Sequence, residues 1–269
     1  MDKIEPEKIT IMEQTPPKEV LDSLIESGKH EIQRESSGLF LSSLSAGLDI
    51  GFGPLVMAVI LTLSTGGFGD LLTELLLATG YSIGFMIVIL GRSELFTEHT
   101  TLAVVPVLDN QATLGGLARL WSLVYLGNII GGLLFTLVSM PLVSGIDVVS
   151  SDAFIKIADK LVSHDLPWLL VGAVFAGWLM GLLAWLIAAA QETTSRILLI
   201  WMVTATIGIL HLPHSIAGNV EVLFGLIMPG GVSPGEYLSF LSLATLGNAL
   251  GGVIFVAVLK YGHVVRGAK

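Results

Sequence analysis

Two short stretches hold most of the residues in this chain that could do chemistry. The first reads Gly91-Arg92-Ser93-Glu94-Leu95-Phe96-Thr97-Glu98-His99-Thr100 and sets Arg92, Glu94, Glu98 and His99 inside an apolar segment. The second reads His211-Leu212-Pro213-His214-Ser215-Ile216-Ala217-Gly218-Asn219, with Glu221 just beyond it. Histidine is the side chain whose proton occupancy changes near neutral pH. His214 follows a proline at the interruption of a hydrophobic run, where a group facing water inside a membrane would sit. The plainer reading is a neutral histidine hydrogen-bonded in a helix bundle, and that reading suits His211 better than His214. His99 and His164 fall near expected membrane interfaces and are given no task. A metal site from His211, His214, Glu94 and Glu98 would need a partner motif to match His-x-x-His, and none stands out. With no cysteine, disulfides, thiol catalysis and Cys-ligated metals drop out. No nucleophile–base pair or cofactor fingerprint stands out either, so neither an enzyme nor a cofactor is expected.

The elements that must position these residues are membrane helices. Hydrophobic residues make up 53% of the 269, charged residues only 13%, and mean hydropathy is +0.82. A soluble domain carries roughly 25% charged residues. Four segments are apolar over about the 20 residues that a bilayer requires: 39–63, 117–143, 167–190 and 237–259. Two more are interrupted, 75–108 around Gly91–Thr100 and 197–228 around His211–Asn219. The flanks of the first interruption, 75–90 and 101–108, look too short to span alone, so two half-helices joined by a loop are expected, with Pro106 supporting a short second half. In the second, Pro213 removes an amide donor and Gly218 loosens the backbone. The fold class expected is all-α and integral to a membrane, with six spans of which the second and fifth are broken. Ionisable groups at membrane depth are tolerated only where they are buried in protein or line water. Asp49 in the first span is another such group, either capping unwound backbone or facing a pore.

The chain also repeats itself. Leu126-Gly127-Asn128-Ile129-Ile130-Gly131-Gly132 returns as Leu246-Gly247-Asn248-Ala249-Leu250-Gly251-Gly252, each copy following an interrupted segment. Two repeats of three spans must be inverted relative to each other, so the interruptions face each other near the midplane, as in many transporters and channels. Their half-helix N-termini carry partial positive charge and would favour a passing anion. The small residues allow close helix approach. Asn128 and Asn248 are read as structural, tying down free backbone groups of the broken helices.

Six spans place both termini on one side. Ten basic residues fall there, against Lys156 and Lys160 opposite, which puts both termini in the cytoplasm. Three regions are expected: a cytoplasmic segment 1–38, a membrane domain 39–260 and a cytoplasmic tail 261–269. No signal peptide is read in the polar first 38 residues. That segment holds nine acids against five bases, a large part of the net charge of −9, and offers nothing to nucleic acid. Val20, Leu21, Leu24, Ile25 and Ile32 after Pro16-Pro17 suggest an amphipathic helix on the cytoplasmic face.

Over residues 38–260 the chain resembles the formate/nitrite transporter family. Four motifs carry the resemblance in order: Glu94-Leu95-Phe96-Thr97, Gly127-Asn128 with Gly131, His214-Ser215-Ile216-Ala217, and Gly247-Asn248 with Gly251-Gly252. The resemblance implies an aquaporin-like protomer with its own pore, a homopentamer in a prokaryotic cytoplasmic membrane, and transport of small monovalent anions, often with a proton. It implies that Thr97 and His214 meet at the pore centre, that Phe96 helps form a constriction, and that Lys160 is the vestibule lysine before the fourth span. The chain departs from the family pattern at Gly218, where asparagine is usual and Asn219 comes one later, at Ala176-Gly177 in the fourth span, and at Glu98 and Glu221. That marks a less characterised branch with extra acids in the pore loops. The leading expectation is a proton-linked pore for formate, nitrite or an acetate-like weak acid, with His214 central. Two rivals stand beside it: a cation or neutral-solute channel with Glu94, Glu98 and Glu221 setting selectivity, and a non-conducting sensor or assembly partner working through residues 1–34.

Overall fold

The computed structural model describes residues 14–64, 67, 69–145 and 149–267, and these are helical except at short turns. Helix α1 (Pro17–Gln33) begins with proline at its first position, where a missing N–H costs nothing. It buries Val20, Leu21, Leu24, Ile25, Gly28 and Ile32. That face is spent on protein: Gly28 lies so close to the Leu102 carbonyl and Pro106 that any side chain would collide. Helices α2 (Ser36–Ile50) and α3 (Phe52–Leu63) form one span bent at Gly51. Helix α4 (Asp70–Gly91) is followed by the short α5 (Phe96–Leu102) and α6 (Val105–Leu108). Helix α7 (Leu114–Gly145) completes the first repeat.

The second repeat follows the same order. Helix α8 (Ser151–Val162) is amphipathic, with the Ser150 hydroxyl accepting from the Asp152 amide at its start. Helix α9 (Leu166–Ala189) is a span, α10 (Thr193–Ile209) and α11 (Ala217–Ile227) form the second broken pair, and α12 (Pro234–Leu250) starts the last span. That span continues through a π-helical stretch, Gly251–Val258, into α13 (Leu259–Gly267). Each repeat thus has four parts, an amphipathic helix and three spans. The sequence reading found α1 but not its counterpart α8, although Ala153, Phe154, Ile157, Ala158 and Leu161 carry the helical period that buries one face.

Two expectations about the first interruption need correction. Helix α4 has 22 residues and is itself long and apolar enough to cross a membrane, because it begins at Asp70 rather than at the first uninterrupted leucine run. The interruption is also shorter than the polar stretch: only Arg92–Leu95 are non-helical, and Glu98 and His99 sit on α5. Five helical stretches meet the length and hydropathy of a span, and α10 with α11 supplies the sixth crossing as two shorter apolar helices.

The ends of α4 and α10 share one geometry. Arg92 and His211 both take left-handed backbone conformations, with φ of 57° and 49°. Behind them the Ser93 amide reaches the Val88 carbonyl and the Leu212 amide reaches that of Ile207, while one residue earlier the Arg92 amide reaches Ile89 and the His211 amide reaches Gly208. This is the Schellman arrangement, formed here without glycine. The π-helical stretch breaks the symmetry. In α7 the Gly132 carbonyl accepts from Thr136 on its own helix, whereas Gly252 accepts from Thr101 on α5. A carbonyl drawn to another helix leaves its own ladder short, and the wider turn follows.

Candidate functional site

The two interruptions meet at the centre, each held by one asparagine. Asn128 on α7 accepts from the Phe96 amide and donates to the Glu94 and Ser43 carbonyls, all at 2.8 Å. Asn248 on α12 accepts from the Ser215 amide at 2.8 Å and donates to the Pro213 and Ala173 carbonyls at 2.9 and 2.8 Å. Each asparagine thus clamps one broken helix and one span, with its three bonds buried. The clamps require close helix approach: a side chain at Gly47 or Gly177 would strike the backbone carbonyl of Asn128 or Asn248.

Between the clamps, Thr97 Oγ1 and His214 Nε2 lie 2.9 Å apart, both residues at most 1% exposed. The other ring nitrogen fixes the chemistry. His214 Nδ1 accepts from the Ile216 and Ala217 amides at 3.2 and 3.1 Å, capping α11. A nitrogen that accepts twice carries no hydrogen, so the neutral ring holds its proton on Nε2 and donates it to Thr97. The Thr97 hydroxyl is left to donate elsewhere. Phe85 stands edge-on to the imidazole at 5.0 Å between centroids.

Helix α4 measures the barrier on which this pair sits. Leu77 and Tyr81 line a narrow vestibule on the α8 side, together with Lys156, Lys160, His211 and Glu221. Ile89 and Leu90 line a second vestibule on the α1 side, with Arg92, Glu94, Glu98 and Arg196, covered by Ser23, Leu24, Ser27 and Glu31 of α1. Tyr81 to Ile89 is about 12 Å at 1.5 Å per residue, and Phe85 is its midpoint. Each amphipathic helix therefore covers one mouth. Helix α8 is fixed to α11 by a stacked pair, Phe154 and Phe224, at 4.1 Å.

The remaining residues singled out from sequence distribute around this axis. Glu94 accepts from Arg34 at 2.7 Å and lies 2.6 Å from His99 Nε2. His99 is fully buried on α5 rather than near an interface, with the partly buried Glu94 carboxylate as its partner. Glu98 lines the α1-side vestibule and makes no ion pair among the described residues. Lys160 is bound to Glu74 at 2.6 Å, and the His211 ring sits 3.4 Å from the same carboxylate. The Phe96 ring lies edge-on to Trp121 and Tyr125. Asn219 accepts from Tyr237, and its amide nitrogen has no partner. Asp49 takes the hydroxyls of Ser45 and, at 3.5 Å, of Ser93 in the interruption. Glu94 and Glu98 are separated from His211 by the barrier, and no group of three metal-ligating side chains forms among the described residues.

Sequence reasoning missed Tyr81, Phe85, Glu74 and Arg34. Glu74 was visible as an acid within Leu71–Leu77; the others acquire their place only through contacts with distant helices.

Comparison with known proteins accounts for this arrangement. The family model for formate/nitrite transporters matches residues 18–262. The inner membrane protein YfdC of Escherichia coli (strain K12) is 32% identical over 244 residues, covering 89% of this chain and 76% of that protein. Among solved structures, an FNT family ion channel superposes with a TM-score of 0.77 at 23% identity, covering 93% of this chain and 99% of the other. A pentameric formate channel with formate bound gives 0.67 at 20% identity, covering 86% and 98%. The fold is that of these aquaporin-like channels, and the chain belongs to the formate/nitrite transporter family.

Proposed function

We infer that the protein is a homopentameric pore for small weak acids and their anions, of the formate, nitrite and acetate class, in which protons accompany the solute past His214. The observation that carries this reading is the buried Thr97–His214 pair between two vestibules, in which the ring N–H holds the Thr97 oxygen and leaves its hydroxyl free to donate. Moving a bare anion across about 12 Å of apolar wall costs far more than moving the neutral acid. A solute that takes a proton from vestibule water crosses as the acid and finds at the midpoint the Thr97 O–H, its oxygen held by the His214 N–H, to replace part of its hydration. The two half-helices begin at Phe96 and Ala217 and contribute partial positive charge at the same depth. A second ring proton would have to sit at Nδ1, against two amide donors, so the pair acts through Nε2.

The α1 side is read as cytoplasmic from the distribution of basic residues. Exposed Leu71, Leu126, Val138, Val171 and Leu198 supply apolar outer surface for lipid or sister protomers. The test is uptake of labelled formate, nitrite and acetate into proteoliposomes across a range of pH, by the unaltered chain and by His214→Phe. Uptake is expected to rise as pH falls and to drop to the empty-vesicle background in the variant, with the oligomer eluting unchanged. Equal uptake by both proteins would overturn the reading.

A further inference from the structure

Glu221 is only 5% exposed, yet it lines the α8-side vestibule one helical turn into α11. Its carboxyl has neither an ion pair nor a hydrogen bond among the described residues. Its surroundings explain why the vestibule cations do not reach it. Lys160 is bound to Glu74 of α4 at 2.6 Å, the His211 ring leans on the same carboxylate at 3.4 Å, and Lys156 is exposed at the rim. Tyr81 of α4 shares the lining with Glu221 and lies close enough to interact with its charge. Helix α3 adds only Met57 and Leu61, while α7 and α12, which also pack on α11, bring no charged group to the lining. Glu74 holds Lys160 and His211, Lys156 stays at the exposed rim, and one buried carboxyl stands alone beneath them, between the mouth and the Thr97–His214 pair.

We propose that Glu221 is a specificity-determining residue that sorts entering solutes by whether they carry a proton. The proposal rests on the weak-acid reading above. A lone carboxyl has two states. As the acid it donates O–H to an entering carboxylate or carboxylic acid; as the anion it accepts O–H from an acid and repels a carboxylate. A neutral weak acid, holding both a donor and an acceptor, is met favourably by either state. An anion without a proton to offer is met favourably by only one, and chloride or nitrate stays in that condition at every accessible pH. No ring of one sign is formed here, so the arrangement does not favour cations as an acidic ring would.

The experiment compares formate and inorganic nitrate uptake by the full-length protein and by Glu221→Gln and Glu221→Asp in proteoliposomes at two pH values a unit apart. Gln keeps the size and hydrogen-bonding capacity of Glu but never charges. Formate uptake by each protein should rise about tenfold per unit fall in pH, following the neutral fraction of the acid, and nitrate uptake by the unaltered protein should also rise as Glu221 takes up its proton. In Glu221→Gln the nitrate rate should rise about tenfold at the higher pH and become independent of pH, so that the formate-to-nitrate ratio falls there, while Glu221→Asp restores the pH dependence of nitrate uptake. Identical ratios for the Gln variant and the unaltered protein would overturn the proposal. So would potassium uptake by the unaltered protein that the Gln variant abolishes, since that marks a cation site. If the unaltered protein carries neither anion, the weak-acid reading fails by itself; nitrate entering only through the Gln variant would still support Glu221 as the barrier, and its absence would refute it. Elution and thermal unfolding of the variants are matched to the unaltered protein to exclude misfolding.

Discussion

Asn128 and Asn248 do most for the site while touching no solute. Each satisfies one amide and two carbonyls that a broken helix would otherwise leave bare in an apolar interior. A buried polar group deprived of its partner costs about 1–3 kcal/mol. Asn248→Ala should therefore lower stability by about 3 kcal/mol or more, read as a large fall in the thermal midpoint of the detergent-solubilised protein. Gly177→Ala should have a comparable effect by another route, pushing α9 off the Asn248 carbonyl, whereas Gly38→Ala meets open space and should change nothing. Equal midpoints for the two glycine variants would refute this account of the clamp. The clamp was half legible in the sequence: the repeated Gly-Asn-x-x-Gly-Gly announces close packing, and its neighbourhood suggests where the amides point. Tyr81 and Phe85 were not legible, since an aromatic in an apolar segment has no sign of the cavity it borders until α10 and α11 are laid beside it.

Helices α1 and α8 occupy corresponding places, and the difference between their attachments sets how each mouth behaves. Aromatic stacking and Gly225 against Ala158 hold α8 to α11. The C-terminal end of α1 is held mainly by charge. Arg119 donates to the Ile32 and Arg34 carbonyls and to Ser36, and Arg34 reaches Glu31 and Glu94. The Glu31 carboxylate, then Glu94, hold the Arg34 guanidinium above its ordinary value, so it stays charged at every working pH. Partly exposed ion pairs contribute about 1 kcal/mol at most, and salt screens them further. Arg119→Ala, which leaves two carbonyls without their donor, should loosen α1 more than Arg34→Ala does. Limited proteolysis within residues 17–34 should be accelerated in that order and more strongly at high salt. Since Ser23, Leu24, Ser27 and Glu31 cover the vestibule, removing residues 1–34 should raise uptake of a permeant acid rather than abolish it. Loss of all uptake would mean that α1 is part of the conducting path. The helical period exposed α1 to sequence reading because a polar leader surrounds it. Helix α8 lies between two long spans, where its one leucine and two isoleucines are spaced among charged residues and read as part of a loop. The stop of α4 was hidden for a different reason: a Schellman turn is expected at glycine, and here Arg92 and His211 make it.

At the scale of the whole molecule the inverted repeat turns one question, which way the protein faces, into a measurable one. Each vestibule is built from equivalent elements, so shape alone does not orient the protomer. Charge does. Among the described residues Lys18, Lys29, Arg34, Arg92, Arg119, Arg196, Lys260 and Arg266 lie on the side of α1 and α13, against Lys156 and Lys160 on the side of α8, and basic residues near span ends are retained in the cytoplasm. The chain has no cysteine, so a single introduced thiol is free of background. Ser163 is exposed at the end of α8, and Gly267 is exposed at the end of α13. In intact cells a membrane-impermeant maleimide should label Ser163→Cys directly and Gly267→Cys only after permeabilisation. The reverse pattern would exchange the two vestibules, placing Glu221 on the cytoplasmic side and the α1-covered mouth outside. The Thr97–His214 pair would be unaffected, because it lies where the two repeats meet and has no side of its own. What would change is the compartment that sets the protonation of Glu221: cytoplasmic rather than external pH would then govern its screening.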